Sequence, residues 1–370
     1  MNLEKNINNS NYIFFFLVVD KFLDIDLPQL KNFEKIYLSD YSSIKEKNSG
    51  RLLSDPKVID YILQKSKKTN LIPAIIPFKP SAKIDFICQK YNWLSISNSG
   101  QINRFLEDKI KFAKLCQKYK LPTISFSLDS FSQSNFLKYQ KKYGSKLVIQ
   151  THFGWAGNST FSADSWDKIK DKISPDVTVK YSPFIKSSYS LLNNCCQTKF
   201  GLIQSPLALQ YTGISPYTQN PFSTVGRQWP SQAPKKITNK IKKITQKFSK
   251  ILQEINYKGF FGLDFLIDKN KVFLLECNPR LTASFGFYTQ LELDQKINPL
   301  FYFHLVEFLN LDYQINLKEE QSRFSNKEII GSELTPKNKN NITCQKIHFN
   351  YPLSKTANPI SIPLDLNERK

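Results

Sequence analysis

Gly259-Phe-Phe-Gly-Leu-Asp-Phe-Leu-Ile-Asp-Lys-Asn-Lys-Val-Phe-Leu-Leu-Glu-Cys-Asn-Pro-Arg280 is the stretch on which the reading of this chain turns. Two apolar runs, 260–267 and 272–275, flank a polar Asp268-Lys269-Asn270-Lys271, the pattern of a β-hairpin. Asp264 lies in the first run; Glu276, Asn278 and Arg280 follow the second at intervals of two. Side chains alternate along a strand, so Glu276 and Asn278 share a face while the chain stays extended. Asp264 joins that face if the turn has an odd number of residues, such as three; a two-residue turn sends it to the other side. Two carboxylates, an amide and a guanidinium are costly to bury without partners. Hard oxygen donors of this kind suit Mg²⁺, which takes one or two carboxylates plus substrate phosphates. An ordinary hairpin with a surface salt bridge has the same spacing.

Outward from the hairpin, the chain alternates. Tyr12–Val19, Lys35–Leu38, Leu71–Pro77 and Trp93–Ile96 read as strands, with helices over Lys57–Lys67 and Ala82–Tyr91. Alternating strands and helices predict a parallel α/β layer. No Gly-x-Gly-x-x-Gly follows the first strand, so a dinucleotide fingerprint is absent. Arg104–Lys120 reads as one amphipathic helix with Asp108-Lys109 in its first turns. A strand over Thr123–Leu128 and a helix within 129–144 follow. Lys146–Gln150 reads as a strand running into a small-residue loop that contains Gly154, Gly157, Asn158, Ser159 and Thr160. Backbone N–H groups of such a loop can cradle phosphate oxygens. A helix is expected at about 164–173, a strand at Asp176–Tyr181, a proline-containing bend at Ser182-Pro183-Phe184-Ile185, and an antiparallel pair at Tyr189–Cys196 and Leu202–Gln210. Residues 212–234 read as irregular and carry Arg227. Lys235–Asn256 is a long amphipathic helix, and 284–310 is helical. Residues 311–370 are polar and mixed, with a strand signal at Cys344–Asn350, and have no evident place in a core.

The chain has 370 residues and a formal net charge of +21. Only six basic residues are arginine, so most of the positive charge is lysine spread over every surface. Nucleic acid is therefore not expected as a partner. In so arginine-poor a chain, Arg227 stands out as a planar donor for a carboxylate or phosphate. The six cysteines form no Cys-x-x-Cys pair or metal spacing, which fits a reduced, cytoplasmic compartment. The longest apolar run near the N-terminus is eight residues, too short for a membrane span, and Asp20-Lys21 follows it where a signal peptide would be cleaved. His152 lies in the loop; His304 and His348 sit among apolar neighbours and read as packing residues.

The order of these features resembles the ATP-grasp superfamily, nearest to its biotin-carboxylase-like and carboxylate–amine ligase members, over residues 12–310. Gly262–Asp264 with Glu276-Cys-Asn-Pro-Arg280 is the most specific part. The resemblance implies a mixed α/β and α+β fold. Residues 1–104 would form a Rossmann-like domain and 105–310 an ATP-grasp domain with a lid at about 123–185; 311–370 would be a C-terminal extension. It implies that Asp264, Glu276 and Asn278 hold Mg²⁺ (Mn²⁺ is an alternative) against ATP phosphates. Arg280 would stabilise the transferred phosphate or acyl intermediate. Lys109 would be the first nucleotide lysine, Gly154–Thr160 the phosphate-covering loop, and Ser182–Ile185 the adenine-binding bend. Gln150 stands where the family places its second nucleotide lysine, and the acidic residue often found after the bend is absent. The implied reaction activates a small carboxylate as an acyl phosphate and transfers it to an amine, releasing ADP and phosphate. A nucleotide-binding regulatory protein with little turnover is the alternative. A homo-oligomer is compatible with either, and neither requires a membrane.

Overall fold

The first strand, β1 (Tyr12–Val18), has six consecutive buried residues, because helices and neighbouring sheet cover both of its faces. It is preceded by α1 (Leu3–Asn8) and followed by β2 (Phe33–Tyr37), α2 (Ser49–Leu53), α3 (Pro56–Thr69), β3 (Ile72–Pro77), α4 (Ala82–Tyr91) and β4 (Leu94–Ser95). The four strands form a parallel sheet in the order β2-β1-β3-β4. Local chemistry sets the helix ends: Asp55 caps α3 with Pro56 at its first position, Ser81 caps α4, and Asn70 and Asn92 close the two helices in the left-handed conformation. The computed structural model describes residues 3–41, 46–154, 157–186 and 188–337. The strand expected at Cys344–Asn350, and His348, lie outside these residues.

The helix expected over Arg104–Lys120 is two helices, α5 (Gly100–Glu107) and α6 (Lys109–Lys118). Asp108 breaks them apart: its backbone is extended, and its carboxylate accepts hydrogen bonds from the N–H groups of Ile110 and Lys111. Capping competes with helix continuation at such a residue.

Next come β5 (Ser127–Ser130), α7 (Gln133–Tyr143), β6 (Leu147–Gln150), β7 (Thr160–Ala163) and β8 (Thr178–Pro183), an antiparallel sheet in the order β5-β8-β6-β7. One face, with Leu147, Ile149, Val179 and Tyr181, packs on Phe136 and Tyr139 of α7. Alternation leaves Gln150 and Lys180 on the other face. Where a helix was expected at 164–173 there is one short 3-10 turn, Trp166–Lys168.

The third sheet contains β9 (Tyr189–Thr198), β10 (Gly201–Gln204), β11 (Ala208–Thr212), β12 (Thr224–Trp229), then, after α8 (Lys235–Glu254), β13 (Gly259–Asp268) and β14 (Lys271–Asn278). Its order is β14-β13-β9-β11-β12, with β10 paired to β9. Ile237, Ile241, Phe248 and Leu252 of α8 cover one face, against Leu263, Phe265, Ile267 and Leu274. The region 212–234 is thus not irregular throughout: β12 lies within it and carries Arg227. Two helices, α9 (Phe285–Asp294) and α10 (Leu300–Leu309), join this sheet to the first; Phe285 meets Phe16 edge-on at 5.6 Å. Every residue of α10 is buried. The chain continues into α11 (Leu317–Ser322) and β15 (Gly331–Leu334), which adds an edge strand to β12. Polar as it is, the segment after 310 is built into the fold as far as residue 337: Phe324 and Ile329 are buried, and Arg323 pairs with the fully buried Glu292 at 2.9 Å.

Candidate active site

The hairpin turn contains two residues, since Asp268 pairs with Lys271. By parity alone, Asp264 would face away from Glu276. A β-bulge between Asp264 and Phe265 reverses this: Phe265 pairs with Leu274, but Asp264 pairs directly with Glu276, leaving Leu275 as the extra residue. Residues directly opposite share a face. The odd offset expected of the turn is therefore supplied by the bulge, and the two carboxylates stand side by side. Gly262 pairs with Asn278 in the same register and is kept small by its neighbour; a Cβ there would lie 2.4 Å from Cγ2 of Thr282.

Each carboxylate is held. Lys109 Nζ donates to Glu276 Oε2 at 2.5 Å. Gln210 of β11 donates to Asp264 Oδ1 at 2.6 Å, and Asn278 Nδ2 to Asp264 Oδ2 at 2.8 Å. Burial, then the charge of Glu276, pushes Asp264 well above the usual carboxylate range. Burial also acts to raise Glu276, but the Lys109 ammonium outweighs it and holds Glu276 low. The same pairing keeps Lys109 protonated against its own burial. An electron-rich pair of carboxylates with one side crowded by negative charge fits a divalent cation: Asp264 and Glu276 supply hard oxygens on one face, with the Asn278 amide beside them. Among the described residues, no three His, Cys, Asp or Glu side chains are grouped to hold a metal by themselves.

Arg280 is buried. Its Nε donates to Glu107 Oε1 at 2.7 Å, its Nη2 to Asn278 Oδ1 at 3.1 Å, and its guanidinium lies 4.8 Å from the Phe78 ring centre. Lys79 pairs with the other Glu107 oxygen. Burial opposes ionisation of Glu107, and Arg280 with Lys79 overcomes it. The sequence reading missed Glu107 because it took 104–120 as one helix; the run Glu107-Asp108-Lys109 at a helix break was the available signal.

Arg227 lies on β12 opposite Gln210, the residue that holds Asp264. Its Nη1 donates to Glu333 Oε1 of β15 at 2.6 Å, and its Nε is buried without a hydrogen-bond partner among the described residues. Gln210, Arg227 and Glu333 form one row across three strands.

The segment after β6 meets the start of α6 through His152, whose Nδ1 lies 2.9 and 3.0 Å from the two oxygens of Asp108 and whose carbonyl accepts from Lys109 N–H at 2.9 Å. In the loop, Gly157 takes φ +82°, which favours glycine; a Cβ there would lie 3.0 Å from the Phe222 backbone. Ser159 is buried with its hydroxyl unpaired among the described residues, and a Cβ on Gly154 would lie 2.3 Å from that oxygen. Asn158 is exposed, and Thr160 Oγ1 accepts from Gln150 Nε2 at 3.0 Å. Ser182 and Pro183 end β8 rather than form a loop; Ser182 Oγ donates to the Val148 carbonyl at 3.3 Å. Phe184 N–H is used by the Lys146 carbonyl, while the Ile185 carbonyl accepts from Ser188 Oγ. A cavity of about 620 Å³, open to solvent, lies beside Pro183, Phe126 and Tyr143. His304 is buried, as its apolar neighbours led one to expect, and Cys277 is buried too.

The site draws its groups from three places: carboxylates from one hairpin, a lysine from the start of α6, and a small-residue loop from a separate sheet that faces them. The family profile described as the ATP-grasp domain matches residues 106–284. No curated protein matches the sequence. Among solved structures, the fold is similar to a biotin carboxylase–β,γ-ATP complex from Campylobacter jejuni, with a TM-score of 0.60 and 15% identity over 84% of this chain and 72% of that one. It is also similar to N5-carboxyaminoimidazole synthetase from Staphylococcus aureus complexed with ADP, with a TM-score of 0.57 and 14% identity over 83% and 79%. A third is the biotin carboxylase domain of 2-oxoglutarate carboxylase from Hydrogenobacter thermophilus, a dimer in complex with MgADP, with a TM-score of 0.57 and 11% identity over 81% and 70%. At these identities the likeness is one of fold. Asp264, Glu276 and Lys109 all lie inside the segment, residues 106–284, that matches the ATP-grasp domain profile.

Proposed function

We propose that the protein is an ATP-dependent, ADP-forming ligase that activates a small carboxylate as an acyl phosphate and joins it to an amine. The observation that carries this reading is the direct opposition of Asp264 and Glu276, with Lys109 on one carboxylate and Asn278 linking the other to Arg280. In phosphoryl transfer a protein contributes mainly position and charge neutralisation. Mg²⁺ held by Asp264, Glu276 and Asn278 would neutralise phosphate charge and align the nucleotide. Lys109 would exchange its bond to Glu276 for a phosphate oxygen. The loop of Gly154, Gly157, Asn158, Ser159 and Thr160 would cover the phosphates with backbone donors and the Ser159 hydroxyl. The end of β8, Ser182 to Ile185, would meet the base. Arg280, fixed by Glu107, would stabilise the charge that develops on the transferred group. Arg227 would orient the substrate carboxylate. No covalent nucleophile is needed, and the Cys277 thiol, pushed well above its ordinary value by burial, is not one.

The five described cysteines are free and buried, which suits a reducing, cytoplasmic setting. Among the described residues, no helix is long and apolar enough to cross a membrane.

A regulatory protein that binds nucleotide without turnover is favoured by one observation: Glu333 already places a carboxylate on Arg227. Phosphate release from Mg²⁺-ATP across a panel of amino acids and small carboxylates with amine acceptors separates the two. Release that requires a substrate and is lost in Glu276→Ala is the expected result. Nucleotide binding with no release from any panel member would establish the regulatory reading instead.

A further inference from the structure

Gln150 leaves the end of β6 without a charge, yet a cation stands directly across from it. In the antiparallel pairing of β6 and β8, Gln150 is opposite Lys180, and Gln150 is in turn opposite Thr160 of β7. The three side chains therefore lie in one row on one face of the lid sheet. This is the face turned from the α7 core, toward Lys109 and Glu276, whose charges both act on Lys180.

The Lys180 ammonium is out of balance with its surroundings. The residue is only 8% exposed. Among the described residues its ammonium forms no hydrogen bond or ion pair; the Phe126 ring centre lies 5.9 Å away. Glu276, the carboxylate whose charge reaches Lys180, is already taken by Lys109. Burial, then repulsion from Lys109, brings Lys180 down to about 8. A buried cation without a counter-charge is destabilising unless an anion completes the site. Gln150 cannot be that partner: its amide donates to Thr160 Oγ1, and an amide carries no charge.

We propose that Lys180 is a nucleotide-binding residue, its ammonium pairing with a phosphate oxygen of the bound nucleoside polyphosphate. The cation that Gln150 lacks is thus carried one strand over, on β8 instead of β6. Lys109 and Lys180 would then approach the phosphates from the two sides of the cleft, one from the large sheet's side and one from the lid. This rests on the nucleotide-binding reading given above and adds the residue that makes it electrostatically complete.

Calorimetric titration of the full chain with MgADP and, separately, with adenosine tests it. Lys180→Met is expected to weaken MgADP by about tenfold or more, the size of one charge-assisted contact, and to move adenosine by less than about twofold. Lys180→Arg should recover most of the loss. Gln150→Glu serves as a second variant should Lys180→Met fail to fold. It sets a carboxylate directly opposite Lys180 and is expected to weaken MgADP to a similar degree. Unchanged MgADP affinity in a folded Lys180→Met or Gln150→Glu protein overturns the assignment of Lys180 while leaving the nucleotide site standing. Absence of MgADP and adenosine binding by the unmodified protein overturns the nucleotide reading and this assignment together.

Discussion

Asp264 stands opposite Glu276 because Leu275 is bulged out of the β13–β14 ladder, not because of the length of the hairpin turn. A regular ladder with the same two-residue turn would pair Asp264 with Leu275 and turn Glu276 to the other face. Bulges of this kind re-aim side chains next to functional sites. The cost is a buried, crowded carboxylate pair: burial first, then the charge of Glu276, pushes Asp264 upward.

That crowding has a measurable consequence. Asp264→Asn removes one hard oxygen donor and one negative charge while keeping the shape. Mg²⁺-dependent phosphate release should fall by about a hundredfold or more, the scale of losing one transition-state electrostatic contact. The apoprotein's melting temperature should stay within a few degrees of wild type, because relief of repulsion offsets loss of one of the two hydrogen bonds to this side chain. A large drop in melting temperature would make Asp264 a structural residue.

Glu107 is predicted to position Arg280. Glu107→Gln leaves the buried Arg280 and the exposed Lys79 facing a neutral amide. Breaking such a pair costs about 3 kcal/mol of stability, readable by urea denaturation. In the surviving folded enzyme, kcat should fall more than the KM for ATP rises, because Arg280 would be misplaced toward the reacting group while Lys109 is untouched. An equal effect on both constants would argue against positioning.

Most of the frame was legible from periodicity. The strand–helix alternation and the polar interruption of the hairpin each have a local physical reading, and the structure agrees with them. What was not legible depends on pairing between distant strands. The bulge at Leu275 leaves no mark in an apolar run Val272–Leu275. Gln210 and Glu333 matter only through the strands they are paired with, and β15 reads Gly-Ser-Glu-Leu, an edge-strand composition with no apolar face. Lys180 is hidden by abundance: in a chain so rich in lysine, nothing local separates a buried site lysine from a solvated one. Arg227 was identified by scarcity of arginine, but its partner Glu333 was not.

The Arg227–Glu333 pair yields a prediction with a definite sign. If Arg227 orients the substrate carboxylate, Glu333 is its internal competitor. Glu333→Gln should lower the KM for the carboxylate several-fold, with a stability loss of about 1 kcal/mol from the weakened pair. Arg227→Lys should raise that KM, because an ammonium cannot replace a planar bidentate donor. No change in the carboxylate's KM in either variant would confine Arg227 to holding β15 in place.

His304 anchors the opening hairpin from behind, and its protonation state is fixed by geometry. Its Nδ1 accepts from Phe260 N–H at 3.0 Å, and Nε2 lies 3.2 Å from the Ile96 carbonyl, so the ring is the neutral Nε2–H form. Gly259, at φ +83°, permits this approach; a Cβ there would lie 2.4 Å from Nδ1. Burial lowers His304 from 6.5 to about 3. A base depressed in the folded state contributes stability above its unfolded value and loses it as pH falls. Between pH 7 and pH 5 the unfolded chain takes up a proton that the folded chain refuses, a loss of about 2 kcal/mol. A His304→Gln protein cannot titrate here. Its deficit in unfolding free energy relative to wild type should therefore shrink by about that amount from pH 7 to pH 5 in parallel urea titrations. A deficit that stays constant, or that grows toward pH 5, would mean that His304 is protonated in the folded protein and that β13 is not held by a neutral ring.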